Sequence, residues 1–460
     1  MNLSGEKSAG VRGICGFLVF VGTISVALAE PVSLGTPTSS PRTAPLPDSP
    51  PARVPKGSAL PKSPEAQQAL TEARRAMAEG RLDVAEAALA RAMQIEPTAY
   101  APVLASADLA LRQSRVPDAN QRMKKALALA PDSAEVATAA GRLAAGQNRT
   151  SEAEAQYRRA IKIDPAFVTP YLDLGEMQLA TGRAKDAEAS FRQAQKADPR
   201  HAGAAFGLGR SLVAQRDLRA AQAAFDQAAN LDPKNPIPLV ALAEVQSKLG
   251  ESTRALATAD RALALDASYL PAKLTRVDIL AAAGQREPAL QELDRVIAGY
   301  GASAPAGLYA RQGSLFEAGG NLDAAMRSYR KAIEVDPKFA PALNNLAWLS
   351  AVRRTDLDAA LSWAKQAVQL DPGSLNYQDT LATVYLARGD TQAAMTTLTQ
   401  ALARDKTQPT LLYRMGQANE VAGRPAQAAA SYKSALDAGR PFPEADDARK
   451  RLAALGTKPQ

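Results

Sequence analysis

The chain has 460 residues, a net charge of +8, and 46% hydrophobic but only 5% aromatic residues. Its single cysteine, Cys15, and single histidine, His201, exclude a disulfide framework, a Cys/His zinc site and any Cys–His or Ser–His–Asp machinery beyond what one imidazole serves. The basic excess is spread along the chain, so it suits an acidic partner or a membrane surface without selecting either.

Residues 1–29 read as a secretory signal peptide: Lys7 and Arg12 lead, the apolar run Ile14–Ala29 follows, and Ala27-Leu28-Ala29 supplies the small-x-small cleavage pattern. The mature chain is therefore expected to begin at Glu30 and to be periplasmic or secreted. The run is shorter than the roughly 20 apolar residues of a membrane span. Left uncleaved, it would hold the chain at the inner membrane facing the periplasm. Residues 30–65 contain ten prolines and no periodic apolar face, so a disordered, extended linker is expected there.

From Ala66 the chain repeats. Pro97, Pro131, Pro165, Pro199 and Pro233 follow one another at intervals of 34 residues, each closing two apolar-periodic segments of helical length. A fixed period with two helices per copy is the signature of an all-α solenoid. Eleven copies are expected in two blocks, 66–301 (copies 1–7) and 306–439 (copies 8–11), with a slip at 301–305. A charged amphipathic segment at 441–457 reads as a capping helix, because an end repeat exposes a face that a neighbour would otherwise cover.

Numbering each copy from 1 exposes the physical constraints. Position 8 is small in ten copies, as at Gly141, Gly175 and Ala73, and position 20 is alanine in all of them, which lets two helices approach closely. Position 24 is bulky in most copies (Tyr157, Phe191, Phe225) and is expected to fill the space toward the next hairpin. Position 27 is alanine except at Val296. Glycine at position 15 ends the first helix, and proline at 32 ends the second. The sixth, seventh and tenth copies lack that proline, carrying Ala267, Gly301 and Lys406.

Small at 8, alanine at 20, bulky at 24, alanine at 27 and proline at 32 together resemble the tetratricopeptide repeat from Ala66 to Ala438. The resemblance implies a right-handed superhelix of antiparallel helix pairs whose first helices line a concave groove. It also implies a binder of protein segments rather than a catalyst. In that family, positions 2, 5, 9 and 12 tend to face the groove. Position 5 of copies 4–7 then gives an apolar row, Leu172, Phe206, Val240 and Leu274, and position 9 gives Glu176, Arg210, Glu244 and Asp278. The row suits an extended or helical peptide; the alternative is packing between first helices. In the ninth copy, Asn344 and Trp348 take the same positions, where a groove tryptophan would make a binding hot spot. The alternative for Trp348 is packing on the adjacent helix.

The expected function is a protein-interaction scaffold of the bacterial cell envelope serving polysaccharide export, outer-membrane assembly or secretion. Its partners are other proteins. No cofactor, metal or nucleic acid is expected, and membrane contact only through the N-terminal segment. A structural spacer and a hydrolase or transferase using Glu176 and Glu244 are the alternatives. His201 is expected to be exposed in an inter-repeat turn.

Overall fold

The computed structural model describes residues 60–456. The expected signal peptide, and the linker as far as residue 59, lie outside the described residues. Those that are described divide into two compact units, 60–284 and 285–456.

The first unit contains α1 (Pro64–Ala78), α2 (Leu82–Ile95), α3 (Tyr100–Arg112), α4 (Val116–Leu129), α5 (Ala134–Gly146), α6 (Thr150–Ile163) and α7 (Thr169–Ala180). It continues through α8 (Ala184–Ala197), α9 (Ala202–Ala214), α10 (Leu218–Leu231), α11 (Pro236–Lys248), α12 (Ser252–Leu265) and α13 (Leu270–Ala282). The second unit opens with α14 (Arg286–Tyr300) and a 3₁₀ turn (Gly301–Ser303). It then holds α15 (Ala306–Ala318), α16 (Leu322–Val335), α17 (Ala340–Arg353), α18 (Leu357–Leu370), α19 (Leu375–Arg388), α20 (Thr391–Arg404), α21 (Pro409–Val421), α22 (Pro425–Asp437) and the terminal α23 (Ala445–Gly456). The chain is an all-α solenoid of paired antiparallel helices with a C-terminal helix, as the 34-residue period predicts. The division falls at Gly284/Gln285, between the two helices of the seventh copy; the sequence places its block boundary one helix later, at 301–306.

The core is made of small residues meeting large ones. The position 20 alanines have no accessible surface, from Ala85 to Ala428, and the same holds for the position 27 alanines. Position 24 packs toward the next hairpin, as expected, and also seats against position 8 of its own. Tyr157 covers Gly141, Phe191 covers Gly175, Phe225 covers Gly209, Tyr329 covers Gly313 and Tyr432 covers Gly416, so closely that an added Cβ would fall within 2.7 Å of the ring. Phe191 also reaches Gly207 of the next copy, which is the contact the sequence suggested. Where position 8 is alanine, position 24 is never aromatic: Ala73 meets Leu89, Ala107 meets Met123, and Ala382 meets Leu398. The two positions share one fixed volume, as close-packed interiors require.

Each first helix ends on a left-handed residue at position 15. The seven glycines there have φ between 69° and 87°. Ser114, Asn148, Arg216 and Arg354 adopt the same region with φ of 54° to 64°, at a cost a glycine would not incur. The next N–H then reaches back around the turn, as from Arg81 to the Ala76 carbonyl at 2.8 Å and from Arg183 to Gln178 at 2.8 Å. The one-residue insertion in the ninth copy requires a second left-handed residue, Asp356.

Most second helices stop at an acidic residue, and in several its side chain caps the turn. Asp164 Oδ1 accepts from the Ala166 N–H at 3.0 Å, and Asp336 from Lys338 at 2.9 Å. This explains why two copies without the closing proline still end in register. Asp266 holds the N–H and hydroxyl of Ser268 at 2.8 and 2.6 Å, and Asp405 holds those of Thr407 at 3.0 and 2.9 Å. The hydrogen bonds from Ser268 and from Thr407 hold both carboxyls below their ordinary range. His201 also departs from its expected role. It is half-buried and caps α9, its Nδ1 accepting from the Ala204 N–H at 3.3 Å, and burial lowers its pKa.

Candidate functional site

The first helices turn positions 8 and 11 inward, and positions 5, 9 and 12 lie about a quarter-turn round the helix from them. Of the apolar row, Leu172 and Val240 are buried, at 5% and 8% exposure; packing between helices accounts for them. Phe206 and Leu274 are half-buried. The Phe206 ring tilts against Phe225 at a centroid distance of 5.4 Å.

Position 9 is a ladder of alternating sign. Arg142 grips Asp173 of the next copy through Nε at 2.6 Å and Nη2 at 3.1 Å. Arg210 reaches back to Glu176, its Nη1 lying 2.7 Å from both carboxylate oxygens. Glu176 is thus already neutralised and is no spare acid for catalysis. Burial raises the pKa of Asp173, opposed by Arg142. Glu244 and Asp278 are exposed, and Glu244 accepts from the Thr275 hydroxyl at 3.5 Å.

In the ninth copy Asn344 is buried, at 4% exposure, with its Nδ2 on the Asn345 Oδ1 at 3.1 Å. Trp348 is half-buried against the cluster built on Tyr329 and Leu346. The packing alternative therefore describes most of its surface. Nearby, the Tyr329 hydroxyl donates to Glu317 at 2.8 Å and lies 3.0 Å from Ser314. Tyr432 does the same to Glu420 at 2.9 Å. In both cases a position 24 tyrosine meets a position 12 glutamate.

Three features escape a copy-by-copy reading. Position 21 of one copy binds position 16 of the next: Glu86 to Arg115 at 2.7 Å, Asn120 to Arg149 at 3.0 Å and Glu154 to Arg183 at 2.9 Å. The shared separation of 29 residues is the signal that would have found it. A cavity of about 320 Å³ opens on α1, α3 and the start of α5, floored by Met77, Ala101 and Leu104 and rimmed by Arg74, Asp108 and Glu135. Thirdly, Arg414 joins Asp379 at 3.2 Å and Glu444 at 3.0 Å, tying α19, α21 and the approach to α23 together. Among the described residues no group of His, Cys, Asp or Glu is placed to hold a metal ion, and no helix is long and apolar enough to cross a membrane.

Such an arrangement, stacked hairpins tied by ion pairs between neighbouring repeats, defines a helical-repeat interaction scaffold. The family model for the tetratricopeptide repeat matches residues 104–166, 172–236, 206–269, 310–374 and 380–455, and the chain belongs to that family. Among solved structures it is similar to a tetratricopeptide repeat protein from Parabacteroides merdae, at 18% identity over 56% of this chain and 99% of that one, with a TM-score of 0.42. It is similar to yeast Tom70 at 13% identity over 85% and 95% of the two chains, TM-score 0.49. It is also similar to YrrB, a repeat protein with an unusual peptide-binding site, at 19% identity over 48% and 95%, TM-score 0.28. No curated protein matches the chain.

Proposed function

We propose that the chain is an exported scaffold of a bacterial cell envelope, and that the groove of copies 4–7 captures an extended or helical segment of a partner protein. The observation that carries this reading is the half-open pair Phe206 and Leu274, set beside the position 9 ladder. A partly exposed aromatic flanked by near-neutral polar contacts is the composition of a binding hot spot. The internally paired charges Glu176 and Arg210 favour a partner segment of mixed rather than single-sign charge. Service to polysaccharide export, outer-membrane assembly or secretion rests on the signal-like residues 1–29.

Replacing Phe206 and Leu274 together by alanine is expected to weaken partner capture at least about ten-fold, since each anchor carries more than ~1 kcal/mol, with helix content by circular dichroism unchanged. A crosslinking pull-down from the envelope that returns the same partners from the variant would defeat the groove assignment. Export has its own check: the mature protein is expected to begin at Glu30, and an intact Met1 in a cytosolic fraction would sink it.

A further inference from the structure

The outer helices carry a charge pattern that the groove does not use. From position 16 to the end of each copy, copies 2, 3 and 4 together hold thirteen Lys and Arg against eight Asp and Glu. The same stretches of copies 1, 5 and 6 hold six against nine. Copies 8 and 11 also hold more Lys and Arg than Asp and Glu over this stretch, but only α4, α6 and α8 carry the excess on three consecutive outer helices.

Burial fixes where those cations point. Positions 20, 24 and 27 of these helices are buried in all three copies, so positions 25, 26 and 29 lie on the opposite, outward face. These are the positions of Lys124, Lys125, Lys162 and Lys196, all exposed. None of the four has an ion-pair or hydrogen-bond partner among the described residues. The acids that might neutralise them are engaged elsewhere. Glu154 is held by Arg158 at 2.6 Å and Arg183 at 2.9 Å, and Glu188 by Arg192 at 2.7 Å and Gln215 at 2.6 Å. The three helices are adjacent, because Asn120 of α4 receives Arg149 and Glu154 of α6 receives Arg183.

We infer that this face docks on an anionic lipid bilayer. No aromatic ring is exposed on it, so it lacks the stacking platforms of a nucleic-acid surface. The cavities beside Met77 and Leu89 are not lined by its lysines, whose exposed charges differ from the desolvated pocket on which a folded partner's hot spot depends. Its free cations are lysines, hydrated point charges suited to a diffuse layer of headgroup phosphates rather than to bidentate recognition. Docking through second helices leaves the first-helix groove of the same unit open.

The test uses the full chain with vesicles of phosphatidylcholine alone or with about 30% phosphatidylglycerol, at ~0.05 and ~0.5 M salt. The anionic increment isolates this surface from any insertion of the apolar run 14–29, which contributes to both vesicles. A cation near an anionic surface gains about five-fold in binding. The variant Lys124→Glu, Lys125→Glu, Lys162→Glu, Lys196→Glu is thus expected to lose the increment by at least about ten-fold, with unchanged circular dichroism. The charge-matched control Arg219→Glu, Lys234→Glu, Lys248→Glu, Lys338→Glu is expected to keep it. Equal loss in both variants, or no anionic increment at low salt, overturns the inference. Tighter binding to duplex DNA or polyglutamate than to anionic vesicles overturns it too, by assigning the face to another polyanion.

Discussion

Gly141→Ala lowers the thermal midpoint by a few degrees, and adding Tyr157→Leu restores it. The added Cβ would sit 2.5 Å from Tyr157 Cε1, and overpacking of this kind costs about 1–3 kcal/mol. Alanine's better helix propensity offsets roughly 0.5–1 kcal/mol of that. Tyr157→Leu alone leaves a void over Gly141 and is itself destabilising. Together the two substitutions recreate the Ala73/Leu89 and Ala382/Leu398 pairings found elsewhere in this chain. The singles therefore do not add, and the coupling has a stabilising sign. Melting curves of the two singles and the double decide it; additive losses would mean that positions 8 and 24 do not share one volume.

The period and the helix pairs follow from positions whose identity is fixed by contacts inside one copy, such as Ala153 and Gly141. These contacts recur every 34 residues and so appear as a pattern. The candidate site was less legible because its contacts cross between copies and change partner each time. Leu172 reads as a groove residue by register, yet the neighbouring hairpin buries it to 5% exposure. Glu176 reads as a free acid until Arg210, one whole copy away, is placed 2.7 Å from it. The same holds for the end of the solenoid. Asp379 looks like one more polar residue of a first helix, and only the packing of the last two copies and the approach to α23 shows that it is buried beside a single arginine.

Arg414→Leu is expected to be the most damaging single substitution in the second unit. The guanidinium is 13% exposed at the side chain and lies between Asp379 and Glu444, themselves at 12% and 21%. It also lies over the Tyr413 ring, 5.4 Å from the centroid. Around it the Tyr413 hydroxyl donates to Asp447 at 2.6 Å, and Arg451 bridges Asp447 and Glu420 at 2.5 and 2.6 Å. Removing one partner of a buried ion cluster costs about 3–5 kcal/mol, because the remaining charges stay desolvated. In a solenoid that loss is local, so amide exchange should accelerate in 409–456 first. The pH dependence identifies the cause. Burial raises the pKa of Asp379 and of Glu444, opposed in each by Arg414. A carboxyl raised in the folded state binds its proton more readily folded than unfolded, so its contribution to stability grows as pH falls from the folded value toward the ordinary value near ~4. Asp447 runs the other way. Burial pushes it up, but Tyr413 and Arg451 prevail and its pKa is lowered, so its stabilisation is lost as pH falls through that lowered value. In the native protein the two tendencies oppose each other. Without Arg414 the raised pair dominates, and the deficit at pH ~7 should shrink markedly by pH ~5. Adding Asp379→Asn and Glu444→Gln should recover most of the loss at neutral pH. A deficit equal at both pH values and untouched by those two changes would assign Arg414 to packing alone, with the two carboxylates charged and solvated in its absence.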